Sequence, residues 1–75
     1  MELEELVKIF NENLDGDNSQ ALTETDSFKD HPMWSSLSAF SISVAIYEKF
    51  GIRLKGIQIR KCETIKDLFD VLSAQ

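Results

Sequence analysis

Between the paired serines at 35 and 36 and the turn Phe50-Gly51-Ile52, the apolar side chains fall on two stripes of one helix. At 100° per residue, Leu37, Phe40, Val44 and Tyr47 align on one side, and Ile42, Ile46 and Phe50 on another. The apolar surface then covers well over half the circumference, so this helix is expected to be central, touching several neighbours or a partner. It begins at Ser35 or Ser36, where a serine offers an N-cap oxygen and Pro32 disfavours helix for His31. It ends at Phe50, with Gly51 free to turn left-handed and Ile52 supplying the apolar contact of such an ending. A chain of 75 residues has room for one core around this element, hence one domain over 1–75.

Two further stripes complete a bundle. Leu3, Leu6, Val7, Phe10 and Leu14 recur at helical spacing and predict a helix over about 2–14, with Glu2, Glu4 and Glu5 at its positive end and Gly16 as its stop. Thr64, with Asp67 three residues on, caps a last helix whose apolar face is Ile65, Leu68, Phe69 and Leu72. Leu54, Ile57, Ile59 and Cys62 mark a short segment of one or two helical turns, although its β-branched residues also suit a strand. From Asp15 to Trp34 no period is sustained. A connection that long should be pinned at points, and Leu22, Phe28 and Trp34 are the candidate pins. The expected fold is all-α: a small four-helix bundle of three longer helices and one short one, with a long loop between the first and second.

The charge excludes several functions. Acids outnumber bases 13 to 8, for a net −5, the wrong sign for gripping phosphate backbones, so no nucleic-acid partner is expected. Residues 1–30 hold nine acids against two lysines, residues 31–52 are neutral, and residues 53–75 hold five bases against three acids. One cysteine and one histidine cannot close a disulfide or fill a tetrahedral zinc site. The residues Met1-Glu2-Leu3-Glu4-Glu5 are acidic where a signal peptide would be basic, and no apolar run reaches membrane-spanning length. A cytoplasmic chain, monomeric and without a membrane span, is expected.

Candidate chemistry is sparse. Asp30, His31 and Ser36 nominally supply a Ser-His-Asp set, but all three lie within seven residues on a loop and helix end, where no cleft or third group holds the base. His31 reads instead as an exposed loop residue. Cys62 reads as a small buried hydrophobe, with a thiolate activated by Lys61 and the following helix start as the alternative. Arg53, Lys55, Arg60 and Lys61 are either solvated charges or a contact for phosphate or an acidic partner. A serine opening the central helix sits beside unpaired N–H groups and the positive dipole end, which would favour a phosphodiester formed on it. A plain N-cap is the other reading, and spacing alone does not choose.

The order of these features resembles the acyl carrier proteins. Ser35-Ser36-Leu37 leads without a gap through Ala45 and Ile46 to Glu48-Lys49-Phe50-Gly51-Ile52 and Leu54, like the Asp-Ser-Leu and Phe-Gly-Ile elements of that family. Thr23 to Phe28 resembles the family's loop before its modified serine, and Thr64-Ile65-Lys66-Asp67-Leu68 the start of its last helix. The resemblance covers essentially the whole chain. It implies a non-enzymatic carrier, a phosphoprotein in which 4′-phosphopantetheine is esterified to Ser36 and holds an acyl group as a thioester. A register error of one residue would move the site to Ser35, which stands where the family has aspartate.

By the same resemblance Phe28, Ile46, Leu54, Ile59, Cys62 and Leu68 would line a pocket for the acyl chain, kept small by bulky Ile59 and Phe69. Partners would be a phosphopantetheinyl transferase and the acyltransferases, synthases or ligases of fatty acid, lipid or polyketide biosynthesis. They would meet a face made of Leu37, Phe40, Ser41, Val44, Tyr47 and Glu48. That face departs from the family's acidic pattern, since Ser35, Ser38, Ser41 and Tyr47 stand where acids are common and Glu48 alone is retained. Recognition should therefore lean on apolar contacts. Trp34 replaces a small residue, either pinning the loop or touching a partner. An aminoacyl or peptidyl carrier, and an unmodified interaction module of the same fold, are the alternatives.

Overall fold

The computed structural model describes residues 2–14 and 22–74. Four α-helices follow one another: α1 (Leu3–Asn13), α2 (Ser36–Phe50), α3 (Gly56–Lys61) and α4 (Ile65–Ser73), with a single 3₁₀ turn at Phe28–Asp30 before α2. The all-α bundle with one short helix is the architecture that the periodicity predicts. The stop expected at Gly16 lies outside the described residues.

Local chemistry sets each boundary. Glu2 N–H donates to Glu5 Oε1 at 2.9 Å, satisfying a donor that the start of α1 would otherwise leave open. Gly51 takes φ 71° and donates its N–H to Tyr47 O at 2.8 Å, closing α2. A Cβ there meets nothing within 4 Å, so Gly51→Ala adds backbone strain without a clash. It should destabilise the fold by about 1–2 kcal/mol, readable as a lower urea midpoint with unchanged slope.

At α4 the expected cap is complete. Thr64 Oγ1 accepts from Asp67 N at 3.1 Å, and Asp67 Oδ2 accepts from Thr64 N at 3.2 Å and Glu63 N at 3.4 Å. These backbone donors, Thr64 first and then Glu63, hold the Asp67 carboxyl below its usual range. With the folded pKa lowered, the cap stabilises above the unfolded value and fades as pH falls through the folded one. Asp67→Asn should therefore be less stable than the parent near neutrality, and the difference should shrink below about pH 4 in urea titrations.

The core is Leu6, Ile9, Phe10, Leu14, Phe28, Ile42, Ile46, Ile59, Cys62, Ile65, Leu68 and Leu72. Helix α1 packs against both α2 and α4, and α3 rests on α4. The central place expected of α2 thus belongs to α1. Helix α2 buries only Ile42 and Ile46, while Leu37 (74% exposed), Phe40 (67%), Val44 and Tyr47 face outward. Among the described residues no further element covers this second stripe, so the circumferential apolarity of α2 points to a partner.

The connection before α2 is pinned where expected. Asn11 brackets Leu22, donating from Nδ2 to its carbonyl and accepting its N–H on Oδ1 at 2.8 Å. Phe28 N–H donates to Glu63 O, Lys66 N–H to Glu24 O, and Ser27 bridges Thr64 antiparallel. Phe28 is fully buried, its ring 5.0 Å from Phe10 and 4.8 Å from Trp34, while Trp34 stacks parallel to Phe10 at 6.4 Å. Of the two roles open to Trp34, pinning is the one these contacts carry.

Candidate functional site

The head of α2 presents three serines with different commitments. Ser35 is the N-cap: its Oγ accepts from Ser38 N at 3.2 Å and lies 3.3 Å from Ser38 Oγ. Ser38 spends its own hydroxyl proton on Met33 O at 2.7 Å, so Ser35 is the donor in the Oγ–Oγ contact. The Ser35 hydroxyl thus both accepts and donates. Ser36 is the first helical residue and is exposed. Among the described residues its Oγ makes no hydrogen bond.

The electrostatics at that point are positive and uncompensated. A 15-residue helix directs its dipole at Ser36, and the first turn carries no acid. The cap takes the Ser38 N–H, which leaves the Ser36 and Leu37 N–H groups without an intrahelical acceptor. A phosphoester on Ser36 would meet these donors, so the residues present fit such a group.

His31 corrects an expectation. It is buried, 8% exposed, rather than an exposed loop residue. Its Nδ1 accepts from Met33 N at 3.0 Å, which sets the Nε2–H tautomer, and its carbonyl accepts from Trp34 N at 3.0 Å. It braces the backbone leading into Ser35 and Ser36. Among the described residues it makes no hydrogen bond to Ser36 or Asp30, so the nominal triad is not assembled. Spacing gave no sign of this burial, which no periodic stripe or cap next to His31 in the chain would signal.

Of the residues expected to line an acyl pocket, Phe28, Ile46, Ile59, Cys62 and Leu68 pack together in the core, and Leu54 is half-buried against it. Leu54 also borders an open cleft of about 500 Å³ with Ser43, Val44, Tyr47, Glu48 and Arg53. A second, smaller groove of about 320 Å³ runs along Phe40, Ser41, Val44, Ala45 and Glu48. All six residues expected to face a partner therefore lie on the outward side of α2, Ser41 half-buried and the others exposed. Ser43, which donates to Ala39 O at 2.9 Å, and Arg53, 5.5 Å from the Tyr47 ring centroid, join them unforeseen.

The lone thiol is shielded in this setting. Cys62 is 3% exposed, and burial, followed by the nearby Asp67 charge, pushes its pKa up, against a smaller opposing effect of Lys29. In the native apo protein Cys62 should react with a disulfide reagent at neutral pH no faster than the chain opens, and fully in urea. Among the described residues no cluster of histidine, cysteine and acids is arranged to hold a metal.

The described residues thus form a small bundle with a short third helix and an exposed serine at the head of its second. No protein-family model matches the chain, and no curated protein does. Among solved structures it is similar to the solution structure of a holo acyl carrier protein from Geobacter metallireducens. The two share 28% identity at a TM-score of 0.74, over 96% of this chain and 82% of that one. The resemblance carried by the sequence motifs thus extends to the fold.

Proposed function

We propose that the chain is a cytoplasmic carrier, modified with 4′-phosphopantetheine on Ser36, that presents acyl groups to enzymes of fatty acid, specialised lipid or polyketide biosynthesis. The observation that carries this is the division of labour at the head of α2. Ser35 is engaged as the cap, as both acceptor and donor, and Ser36 stands exposed, with no hydrogen bond from its hydroxyl among the described residues, at an acid-free helix start. Bound there, the arm would supply a terminal thiol on which an acyl group rides as a thioester.

The remaining work falls to the chain's own residues. The Ser36 and Leu37 N–H groups and the helix dipole stabilise the phosphodiester charge. His31, Trp34 and the Phe10–Phe28 pair hold the loop so that this helix start keeps one orientation. Leu54 belongs to both the core margin and the open cleft, so an apolar chain leaving water would enter beside it. Each buried CH₂ would contribute about 0.8 kcal/mol. The exposed stripe of Leu37, Phe40, Val44 and Tyr47 serves as the docking face, with Glu48 and Ser41 at its edge.

The test is an intact mass after incubating the apo protein with coenzyme A and a broad-specificity phosphopantetheinyl transferase. A phosphopantetheine increment supports the carrier, and its thiol should react at once with the disulfide reagent while Cys62 stays silent. No increment across several transferases would leave the unmodified interaction module, which the exposed α2 stripe also suits. The scarcity of acids on α2 keeps an aminoacyl or peptidyl cargo as the second reading.

A further inference from the structure

We propose that the partner docked by this carrier presents an apolar groove with an acidic border, and that residues 53–61 read that border. This deepens the carrier reading by giving the partner's chemistry. From Arg53 to Lys61 the chain holds Arg53, Lys55, Arg60 and Lys61 and no acid, within a molecule of net charge −5. All four cations are exposed. Among the described residues the ion pair present is Lys49–Glu5, at 3.9 Å, and none of the four has a carboxylate within that reach.

The basic segment is continuous with the apolar face. The Arg53 guanidinium lies 5.5 Å from the centroid of Tyr47, the last residue of the α2 stripe, and both line the same cleft. On α3, Ile57, Arg60 and Lys61 share one face by their i, i+3, i+4 spacing, and Ile57 is 53% exposed. Lys29 Nζ donates to Arg60 O and brings a fifth cation to that end. An exposed apolar stripe running into unpaired cations is complementary to an apolar groove edged by carboxylates. An anionic bilayer fits less well, because the stripe follows the edge of a 15-residue helix, about 22 Å long, rather than a plane.

The experiment titrates ¹⁵N-labelled apo protein with a synthetic amphipathic helix bearing leucines on one face and glutamates beside them. The same peptide with lysines for glutamates, and phosphatidylglycerol vesicles, are titrated in parallel. Amide shifts should concentrate at Leu37–Tyr47 and Arg53–Lys61, with the glutamate peptide bound about tenfold tighter at low salt and the difference narrowing as salt screens it. Replacing the four cations by glutamate (R53E, K55E, R60E, K61E) should invert the preference, and replacing them by glutamine should abolish it. Equal affinity for the two peptides, or shifts elsewhere, overturns the proposal. So does tighter binding to the vesicles, or self-association that the charge reversal removes, which would assign the patch to lipid or to a second copy. Failure here with a phosphopantetheine increment present sinks the acidic partner alone; the peptide preference without the increment sinks the carrier alone.

Discussion

Ser36→Ala is expected to remove phosphopantetheine loading outright while leaving the fold intact. The Ser36 hydroxyl makes no hydrogen bond among the described residues, and its side chain is exposed, so losing it should change stability by less than about 0.5 kcal/mol. Ser35→Ala should do the reverse. It deletes the cap on Ser38 N–H and should lower stability by about 1 kcal/mol, with the mass increment retained. The pair of variants separates Ser36, the site that the register of the resemblance implies, from Ser35, to which a one-residue error would move it. An increment that survives in Ser36→Ala and disappears in Ser35→Ala would move the attachment site by one residue.

Phe28→Ala should come close to unfolding the protein. The side chain is fully buried between α1 and the loop, in contact with Phe10 and Trp34, and its backbone N–H ties the loop to Glu63 O at 3.0 Å. Deleting a core phenylalanine costs about 3–5 kcal/mol, including its aromatic pairings. A chain of 75 residues is stable by about 4–11 kcal/mol in total, so a large share of the margin would go. Trp34 is the sole tryptophan and stacks on this cluster, which lets its emission report both the loosened native state and the urea midpoint. Leu37→Ala, by contrast, removes a side chain 74% exposed and should hardly move the midpoint. A loss below about 1 kcal/mol for Phe28→Ala would contradict the place of this ring at the centre of the core.

The helices were legible because each is written in local chemistry. The period of Leu6, Phe10 and Leu14, the Thr64–Asp67 box and the Gly51 ending act within a few residues and need no tertiary context. The pins Leu22, Phe28 and Trp34 were legible for a related reason, since large apolar residues in an otherwise polar stretch have nowhere to go but the core. His31 was not. Its burial depends on how the aromatic pins fold the loop over α1, a long-range matter with no signature next to it in the chain. Nor was it legible that the Arg53 guanidinium lies 5.5 Å from the Tyr47 ring centroid, because that contact depends on the path of the chain after the left-handed Gly51.

Period, caps and length by themselves determined that this protein is a four-helix bundle with a serine opening its longest helix, since helix formation and termination are decided within a turn or two of the chain. Only the tertiary structure decided which of the two α2 stripes is buried. Helical periodicity marks both as apolar, and the choice belongs to α1, which packs on Ile42 and Ile46 and leaves Leu37, Phe40, Val44 and Tyr47 to the solvent. The tertiary structure likewise decided which serine is spent on the cap and which is left open. That depends on the Ser38–Met33 hydrogen bond and the braced loop behind it, where one residue of register changes the partner of every hydroxyl.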